Sequence, residues 1–394
     1  MKSRARILGI VGTRPECIKM APVILALRDA QFASVTVVST GQHRDMTRET
    51  LATFNVEVDH DLKVMVPNQT LAGLSSRVFS ELDAFLEAEP QDLIVVQGDT
   101  TSVMIGSLAA FYRRIPIGHV EAGLRTHDLR RPFPEELNRV VTSLVSAMHF
   151  APTEGARINL LKAGVSSRAV HVTGNTVIDA LKLIAASAPP CAYPISPGRR
   201  LVLVTAHRRE NFGLPLEHIC DAIVSLLDRF PDIEFVYPVH PNPNVAGPVT
   251  IRLAGLDRVH LIPPATYTAL VSLMQRAYLI LTDSGGIQEE APALGKPVLV
   301  LRSETERPEA VEAGAARVVG TDAERIIAAV SQLLTDDVAY RKMTTAGSPY
   351  GDGRAAGRIA ALCRRFLLDE RPGSGAASAD SGVALTQLAE SAMP

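Results

Sequence analysis

Short apolar runs alternate with helical segments along most of the chain, and this alternation restricts the fold more than any other feature. The run LIVVQ at residues 93–97 is apolar up to its last residue, as expected for a strand buried on both faces of a parallel sheet. Regular alternation of such strands with helices is typical of α/β domains. The predicted strands are residues 6–11, 35–40, 93–97, 115–120, 148–151, 169–172, 200–205, 233–238, 259–262, 278–281, 297–301 and 317–319.

One proline-rich segment interrupts the alternation. Residues 187–199, SAPPCAYPISPGR, contain four prolines and are predicted to be a linker. Because 394 residues are many for one domain, we expect two doubly wound, Rossmann-like domains, at residues 1–186 and 200–353. A last helix at residues 354–369 is assigned to the first domain. Residues 370–394 are rich in Ser, Ala and Gly and are predicted to be a disordered tail.

Composition narrows the classes of function. The formal net charge is −2, so the chain has no overall positive charge to attract nucleic acid. Trp is absent, which also disfavours a surface on which bases stack. The four cysteines form no CxxC pair, which gives no indication of a zinc site or a disulfide framework. No apolar run has the length of a membrane span or of a signal-peptide core. We therefore expect a soluble cytoplasmic protein without a membrane partner or a metal.

The segment richest in chemical groups is residues 118–139, GHVEAGLRTHDLRRPFPEELNR. It carries three glutamates, Glu121, Glu135 and Glu136, between a predicted strand and a predicted helix. The intervening loop of about a dozen residues is longer than a simple connection needs. Such loops at the carboxyl ends of parallel strands hold the chemistry of open α/β sheets. Taken alone, Pro-Glu-Glu is better explained as the start of a helix whose dipole it stabilises, and only the rest of the chain favours a functional role.

Two further turns of the first half follow predicted strands. Residues 12–16, GTRPE, lead into a helix whose N-terminus, with Arg14 and Lys19, would suit a phosphate or a carboxylate. An ordinary turn with solvated charges explains them equally well. The turn lacks the GxGxxG pattern, so no dinucleotide cofactor is predicted. Asp99 follows a strand and is either a helix N-cap or a site residue at the sheet edge that also carries Glu121.

The strongest motif of the second half is residues 282–290, TDSGGIQEE. Ser284 is predicted to cap the helix that follows, which would leave the amides of Gly285 and Gly286 directed outward. Residues without side chains allow a diphosphate to approach the backbone closely. Glu290, inside the helix, would lie within reach of ribose hydroxyls. Adjacent glycines lower helix stability, so a softened helix start without a ligand is the less favoured explanation.

Ten motifs in this order resemble those of the bacterial non-hydrolysing UDP-N-acetylglucosamine 2-epimerases. Between residues 6 and 369 they are GTRPE, TGQHR, GDTTS, HVEAGLR, PFPEELNR, TGNTVID, HRREN, YPVHPNPNV, DSGGIQEE and TERPEA. The resemblance implies a GT-B-like fold with the substrate in the cleft between two Rossmann-like domains. It also implies interconversion of UDP-GlcNAc and UDP-ManNAc without a cofactor, a homodimer, and a supply of UDP-ManNAc for surface polysaccharides.

The resemblance further implies roles for individual residues. Loss of UDP together with the C2 proton would give a 2-acetamidoglucal. Protonation of C2 from the other face and return of UDP would then give the epimer. Both proton transfers require acid/base groups. The positions matching acid/base residues are Asp99, Glu121, Glu135 and His207. Those matching substrate-binding residues are Arg14, Lys19, Ser284, Gly285, Gly286, Glu290 and Arg307. Those matching a site for a second, activating UDP-GlcNAc are Gln42, Gln69, Glu136, Arg208 and His240.

Three other functions stay open on the sequence alone. A GT-B glycosyltransferase would share the fold and the diphosphate site but would need an acceptor. A hydrolysing epimerase would release free ManNAc and UDP. A UDP-sugar sensor would bind without turnover, which the presence of all four acid/base residues disfavours. Incubation with UDP-GlcNAc alone, followed by product analysis, separates these functions.

Overall fold

The computed structural model describes residues 4–41, 44–66, 68–187, 193 and 195–368. Within these residues the chain divides into two units. The first consists of residues up to 176 together with those from 354 onward, and the second of residues 177–353. Part of the predicted linker and all of the predicted tail lie outside the described residues.

A seven-stranded parallel sheet forms the centre of the first unit. Its strands are β1 (Ala5–Val11), β2 (Ala33–Ser39), β3 (His60–Asp61), β4 (Leu93–Gln97), β5 (Ile117–Val120), β6 (Met148–Ala151) and β7 (Val170–Val172). They lie in the order β3-β2-β1-β4-β5-β6-β7, and each adjacent pair is parallel. The winding direction reverses between β1 and β4, the kind of point at which open α/β sheets bind ligands at their carboxyl edge.

Helices follow the strands of the first unit. They are α1 (Arg14–Asp29), α2 (Arg44–Ala52), α3 (Leu71–Ala88), α4 (Thr101–Tyr112), α5 (Glu135–Val145), α6 (Glu154–Lys162) and α7 (Thr176–Ser187), which continues into the second unit. Helix α4 packs against α3 and α5, whereas α1 packs against α2. The first four residues of β4 are fully buried, which explains the continuous apolar run that predicted this strand.

The second unit has a six-stranded parallel sheet. Its strands are β8 (Arg200–Thr205), β9 (Ile233–Pro238), β10 (Val259–Ile262), β11 (Leu279–Thr282), β12 (Val298–Val300) and β13 (Ala316–Val318). They lie in the order β10-β9-β8-β11-β12-β13, again with parallel neighbours. The winding therefore reverses between β8 and β11, which makes their carboxyl ends the expected ligand-binding edge of this unit.

The helices of the second unit cover both faces of its sheet. They are α8 (Leu214–Arg229), α9 (Pro243–Leu253), α10 (Tyr267–Arg276), α11 (Gly285–Ala293), α12 (Pro308–Glu312), α13 (Ala323–Thr335) and α14 (Asp337–Thr344). Helix α8 packs against α9 and α13 over a core that includes the fully buried Phe235 and Tyr237. The last helix, α15 (Ala355–Leu368), packs against α1 of the first unit.

The predicted α/β class with parallel sheets is confirmed. The prediction omitted β3, because His60 and Asp61 form no apolar run. This strand exists only through its pairing with Val38 and Ser39 at the edge of the sheet. Among the helices of the described residues, none is both long enough and apolar enough to span a bilayer.

Candidate active site

Glu121 is the first residue after β5 and has an unusual backbone conformation. Its φ angle of 62° lies in the left-handed region that residues with side chains rarely adopt. Its carboxylate accepts hydrogen bonds from the ammonium of Lys19 and from the side-chain amides of Gln97 and Asn175, the latter at 3.3 Å. Backbone strain at a polar residue whose carboxylate is held by three donors is typical of functional sites.

Asp99 lies at the end of β4, which neighbours β5 in the sheet. Its carboxylate is paired with the guanidinium of Arg139. Burial raises the pKa of Asp99; the charge of Arg139 opposes this rise and that of Glu121 adds to it. The N-cap of α4 is Thr100, whose Oγ1 accepts a hydrogen bond from the amide of Val103 at 3.3 Å. Asp99 is therefore a member of the acidic site and not the helix cap.

The turn after β1 leaves a helix N-terminus and one basic group available. Gly12 is required there, because a Cβ atom would lie 2.7 Å from Thr40 Oγ1 and 2.9 Å from Ser102 Oγ. Helix α1 begins at Arg14, and the N-cap residue before it makes no side-chain capping bond. Arg14 is partly buried and has no hydrogen bond or ion pair with other described residues, whereas Lys19 is paired with Glu121.

Glu16 is a buried acid that the sequence analysis did not single out. Its carboxylate accepts hydrogen bonds from the amide of Gly12 at 2.6 Å and from Thr13 Oγ1 at 3.0 Å. Burial raises the pKa of Glu16 to about 7, against the opposing effect of hydrogen bonds from Thr100, Gly12 and Thr13. Glu16 therefore joins the turn after β1 to the turn after β4 across the switch point.

The other two glutamates of the 118–139 segment have different environments. Glu136 is fully buried, accepts a hydrogen bond from the amide of Thr126 at 3.1 Å and pairs with Arg139 at 3.2 Å. Arg139 thus connects Glu136 with Asp99. Glu135 is partly exposed and its carboxylate makes no hydrogen bond with another described residue, so the carboxylate is available to a ligand.

The second unit places His207 and Asp283 at the ends of β8 and β11, on either side of its switch point. Asp283 is fully buried, and its Oδ2 accepts hydrogen bonds from the amides of His207 at 2.7 Å and Arg208 at 2.8 Å. The ring of His207 stacks on that of His240, with centroids 5.6 Å apart. Burial lowers the pKa of His207, and the carboxylate of Asp283 opposes this.

The glycines of the DSGG segment are at the start of α11, as predicted, but Ser284 does not act as predicted. It occupies the N-cap position without a side-chain capping bond, and its amide donates to Thr282 Oγ1 at 2.9 Å. A Cβ atom added at Gly285 or Gly286 would meet nothing closer than 3.8 Å. Protein packing does not require glycine there, so the open space above the helix N-terminus suits an approaching ligand.

Two predicted substrate-binding side chains near α11 are already engaged. Glu290 is buried and accepts a hydrogen bond from the hydroxyl of Tyr267 at 2.6 Å. Arg307, which precedes α12, is paired with the buried carboxylate of Glu289. Tyr267 was not predicted, and it fixes the orientation of Glu290.

The predicted effector residues are divided between the two units. Gln42 lies outside the described residues. Gln69 and Glu136 belong to the first unit, and Arg208 and His240 to the second, where both lie close to the site at the end of β8. Within the described part of the chain, no group of three or more His, Cys, Asp or Glu side chains could hold a metal ion.

Comparison with known proteins identifies the family. Residues 25–364 match the family described as UDP-N-acetylglucosamine 2-epimerase. The chain belongs to this family. The UDP-N-acetylglucosamine 2-epimerase of Escherichia coli K12 is 49% identical over 364 residues, which cover 90% of this chain and 97% of the relative. The epimerase family that the ten motifs predicted is therefore confirmed.

Solved structures of the epimerase family share the fold. The UDP-GlcNAc 2-epimerase from Neisseria meningitidis bound to UDP-GlcNAc is 46% identical, with a TM-score of 0.84 over 91% of this chain and 100% of that one. A glycotransferase of kitacinnamycin is only 14% identical, with a TM-score of 0.63 over 93% of this chain and 100% of that one, and shows the fold alone. The epimerase fold is accordingly GT-B-like, with two Rossmann-like units.

Proposed function

We propose that this epimerase interconverts UDP-GlcNAc and UDP-ManNAc by elimination and re-addition of UDP, without net hydrolysis. The observation that carries the proposal is the pair of acidic groups at adjacent strand ends. Asp99 is partly buried and paired with Arg139, and Glu121 is paired with Lys19. The reaction needs acid/base groups around C2 and support for charge that develops at the sugar, and this pair supplies both.

In the proposed reaction, the carboxylates of the first unit have different roles. Cleavage of the bond from C1 to the diphosphate oxygen makes the C2 proton acidic, and transfer of that proton to a carboxylate leaves the 2-acetamidoglucal. Asp99, whose pKa burial raises, and Glu135, whose carboxylate makes no hydrogen bond with another described residue, are the candidates for exchanging this proton. The carboxylate of Glu121, oriented by three hydrogen-bond donors, suits stabilisation of positive charge at the sugar ring.

The second unit would hold the nucleotide. The uncapped N-terminus of α11, with open space at Gly285 and Gly286, suits the diphosphate. Glu290, oriented by Tyr267, would accept hydrogen bonds from the ribose, and His207 would assist departure of the diphosphate. A similar protein, from Neisseria meningitidis, is described as bound to UDP-GlcNAc, which supports this choice of substrate.

Product analysis tests the proposal directly. With UDP-GlcNAc as the only addition, UDP-ManNAc should form without an acceptor sugar and without NAD, while free ManNAc should not accumulate. Asp99→Asn removes an acid/base group and keeps its shape, so turnover should fall roughly 10²-fold or more, with UDP binding changed much less. Accumulation of ManNAc and UDP would indicate a hydrolysing epimerase instead, and a need for an acceptor would indicate a glycosyltransferase.

We also propose that UDP-GlcNAc activates the enzyme at a second site; the positions that match the effector residues of the family are Gln42, Gln69, Glu136, Arg208 and His240. The position of Arg208 and His240 beside His207 supports a link between effector and substrate. With UDP-ManNAc as sole substrate, the reaction should be slow until a trace of UDP-GlcNAc is added. Hyperbolic kinetics without a lag would contradict the effector site.

The family resemblance supports three further proposals: the enzyme is a homodimer, acts in the cytoplasm and supplies UDP-ManNAc for surface polysaccharides. Light scattering after size-exclusion chromatography should give twice the mass of one chain. A monomer mass at all concentrations would contradict the dimer.

A further inference from the structure

We infer that Asp283 and His207 form a carboxylate–imidazole dyad, in which Asp283 is a positioning residue that holds the proton on Nδ1 and leaves Nε2 to exchange a proton with the substrate. The inference begins with the sheet. Strands β8 and β11 are paired in register, with Thr282 opposite Thr205, and the two threonine hydroxyls are hydrogen-bonded at 2.6 Å. The residues that follow these strands are therefore brought to one point, although they are far apart in sequence.

The two oxygens of Asp283 have different partners. Oδ2 accepts three hydrogen bonds, from the amides of His207 and Arg208 and from the side chain of Asn211 at 3.0 Å. Oδ1 is buried and has no hydrogen-bond partner among the described residues, and it lies 3.6 Å from His207 Nδ1. A buried carboxylate oxygen without a donor is unfavourable. A small rotation of the imidazole would satisfy it.

The backbone around this pair is fixed, whereas the ring of His207 is partly exposed and contacts only the stacked ring of His240 among aromatic groups of the described residues. The hydroxyl of the buried Tyr237 donates to the carbonyl of Ala206 at 2.6 Å. The carboxylate of Asp283 accepts hydrogen bonds from the amides of His207 and Arg208, and the amide of Asp283 donates to the carbonyl of Thr205 at 3.0 Å. The side chain of His207 is 44% exposed, so its ring can turn without disturbing the core.

The chemistry of the pair determines the tautomer. A carboxylate can only accept, so Nδ1 of His207 must donate, and in a neutral imidazole Nε2 then carries the lone pair. The neutral form is expected in the free protein, because burial lowers the pKa of His207. Asp283 opposes this effect, whereas His240 and Arg208 add to it; Arg208 in turn lies 3.7 Å from Glu306.

The role of the dyad in catalysis rests on the proposed function. The negative charge of bound UDP favours protonation of His207, and Asp283 stabilises the resulting imidazolium. When the bond from C1 to the diphosphate oxygen breaks, the Nε2 proton passes to that oxygen while the C2 proton passes to a carboxylate. On re-addition the diphosphate oxygen returns its proton to Nε2 and an acid/base group delivers a proton to the other face of C2. The carboxylate that took the original C2 proton releases it to solvent, so the overall reaction is balanced.

The first test is NMR of the full chain labelled with ¹⁵N-histidine, with His207→Asn used to assign the signals. Near pH 7 in the free wild-type protein, His207 should carry its proton on Nδ1, and saturating UDP should add a second ring proton. A wild-type Nε2–H tautomer, or no protonation on addition of UDP, would overturn the dyad whatever reaction the protein catalyses.

The second test is Asp283→Asn. The asparagine oxygen can still accept from the backbone amides, but its NH₂ group would face Nδ1 and force the Nε2–H tautomer. Turnover should fall roughly 10²- to 10⁴-fold with KM for UDP-GlcNAc changed far less, and the limb of the pH profile due to His207 should move to lower pH. Unchanged turnover and tautomer would refute the positioning role.

Glu234→Gln is the matched control. It makes the same carboxylate-to-amide change at a buried residue of β9 that pairs with Arg199 and has no contact with His207. This variant should keep turnover within about twofold and leave the tautomer of His207 unchanged. Equal losses in both variants would attribute the effect to general destabilisation and overturn the assignment. Absence of epimerase activity in the wild type would refute the proposed function, while the tautomer would still decide the dyad.

Discussion

The ion pair between Lys19 and Glu121 should be strongly coupled to the stability of the first unit. The two side chains are only 14% and 7% exposed, so solvent screens their interaction weakly. Lys19→Met removes the positive charge and keeps most of the apolar stem of the side chain. The carboxylate of Glu121 would then remain buried without the countercharge of Lys19, while its left-handed backbone stays unchanged.

The magnitude follows from the surroundings of the pair. Two unit charges about 4 Å apart attract by about 4 kcal/mol at an effective dielectric constant near 20. The amides of Gln97 and Asn175 remain as donors to Glu121, each contributing about 1 kcal/mol. Breaking a buried pair from one side costs about 3–5 kcal/mol, so we expect about 3 kcal/mol for Lys19→Met. Glu121→Gln should cost about 2 kcal/mol, because Asp99 partly compensates Lys19.

A double-mutant cycle measures the coupling. We expect the double variant to be about 2 kcal/mol more stable than the sum of the single losses predicts. Urea unfolding monitored by hydrogen exchange in peptides covering β5 reports the first unit separately from the second. The same cycle at Arg6 and Glu89, an ion pair whose side chains are 43% and 50% exposed, is the control and should give less than about 1 kcal/mol. Additive losses at Lys19 and Glu121 would refute the argument.

Three further variants test other parts of the site. Because burial raises the folded-state pKa of Glu16 to about 7 from 4.5, its protonated form stabilises the fold below pH 4.5, and this stabilisation is lost as pH rises to 7. In urea unfolding, Glu16→Gln should remove about 3 kcal/mol of the pH dependence of the free energy of unfolding. An unchanged pH dependence would contradict this prediction. Gly12→Ala should lower the free energy of unfolding by about 1–3 kcal/mol, since its Cβ would overlap the hydroxyls of Thr40 and Ser102, and wild-type stability would refute this. Tyr267→Phe should raise KM for UDP-GlcNAc about tenfold with little change in kcat, because the buried carboxylate of Glu290 loses its hydrogen-bond donor. An unchanged KM would show that Tyr267 is not needed to orient Glu290.

The fold was largely predictable because buried parallel strands leave a local signal. Strands β6, β8, β9 and β10 have the predicted bounds, and each is a short, mainly apolar or β-branched run. Strand β3 was missed because its two polar residues carry no such signal. The strand order was also beyond local reasoning, since β1 lies beside β4 and β8 beside β11 only in the assembled sheets.

The site was predictable in part for the same reason. Asp99 and Glu121 follow apolar strands directly, so their position at the sheet edge could be inferred from the sequence. Their partners depend on strand order and on the path of later segments. Asn175 reaches Glu121 from the end of β7, and Asp283 reaches His207 across the second switch point. The predicted capping by Ser284 was wrong, because residue type gives the N-cap position without fixing where the hydroxyl bonds.

The central claim is that UDP leaves and returns while the C2 proton passes through an enzyme group. Incubation of the protein with UDP-GlcNAc in deuterated water, followed by proton NMR, measures this directly. UDP-ManNAc should carry deuterium at C2, and UDP-GlcNAc re-formed by the reverse reaction should gain it as well. Epimerisation with full retention of the original hydrogen at C2 would contradict the account.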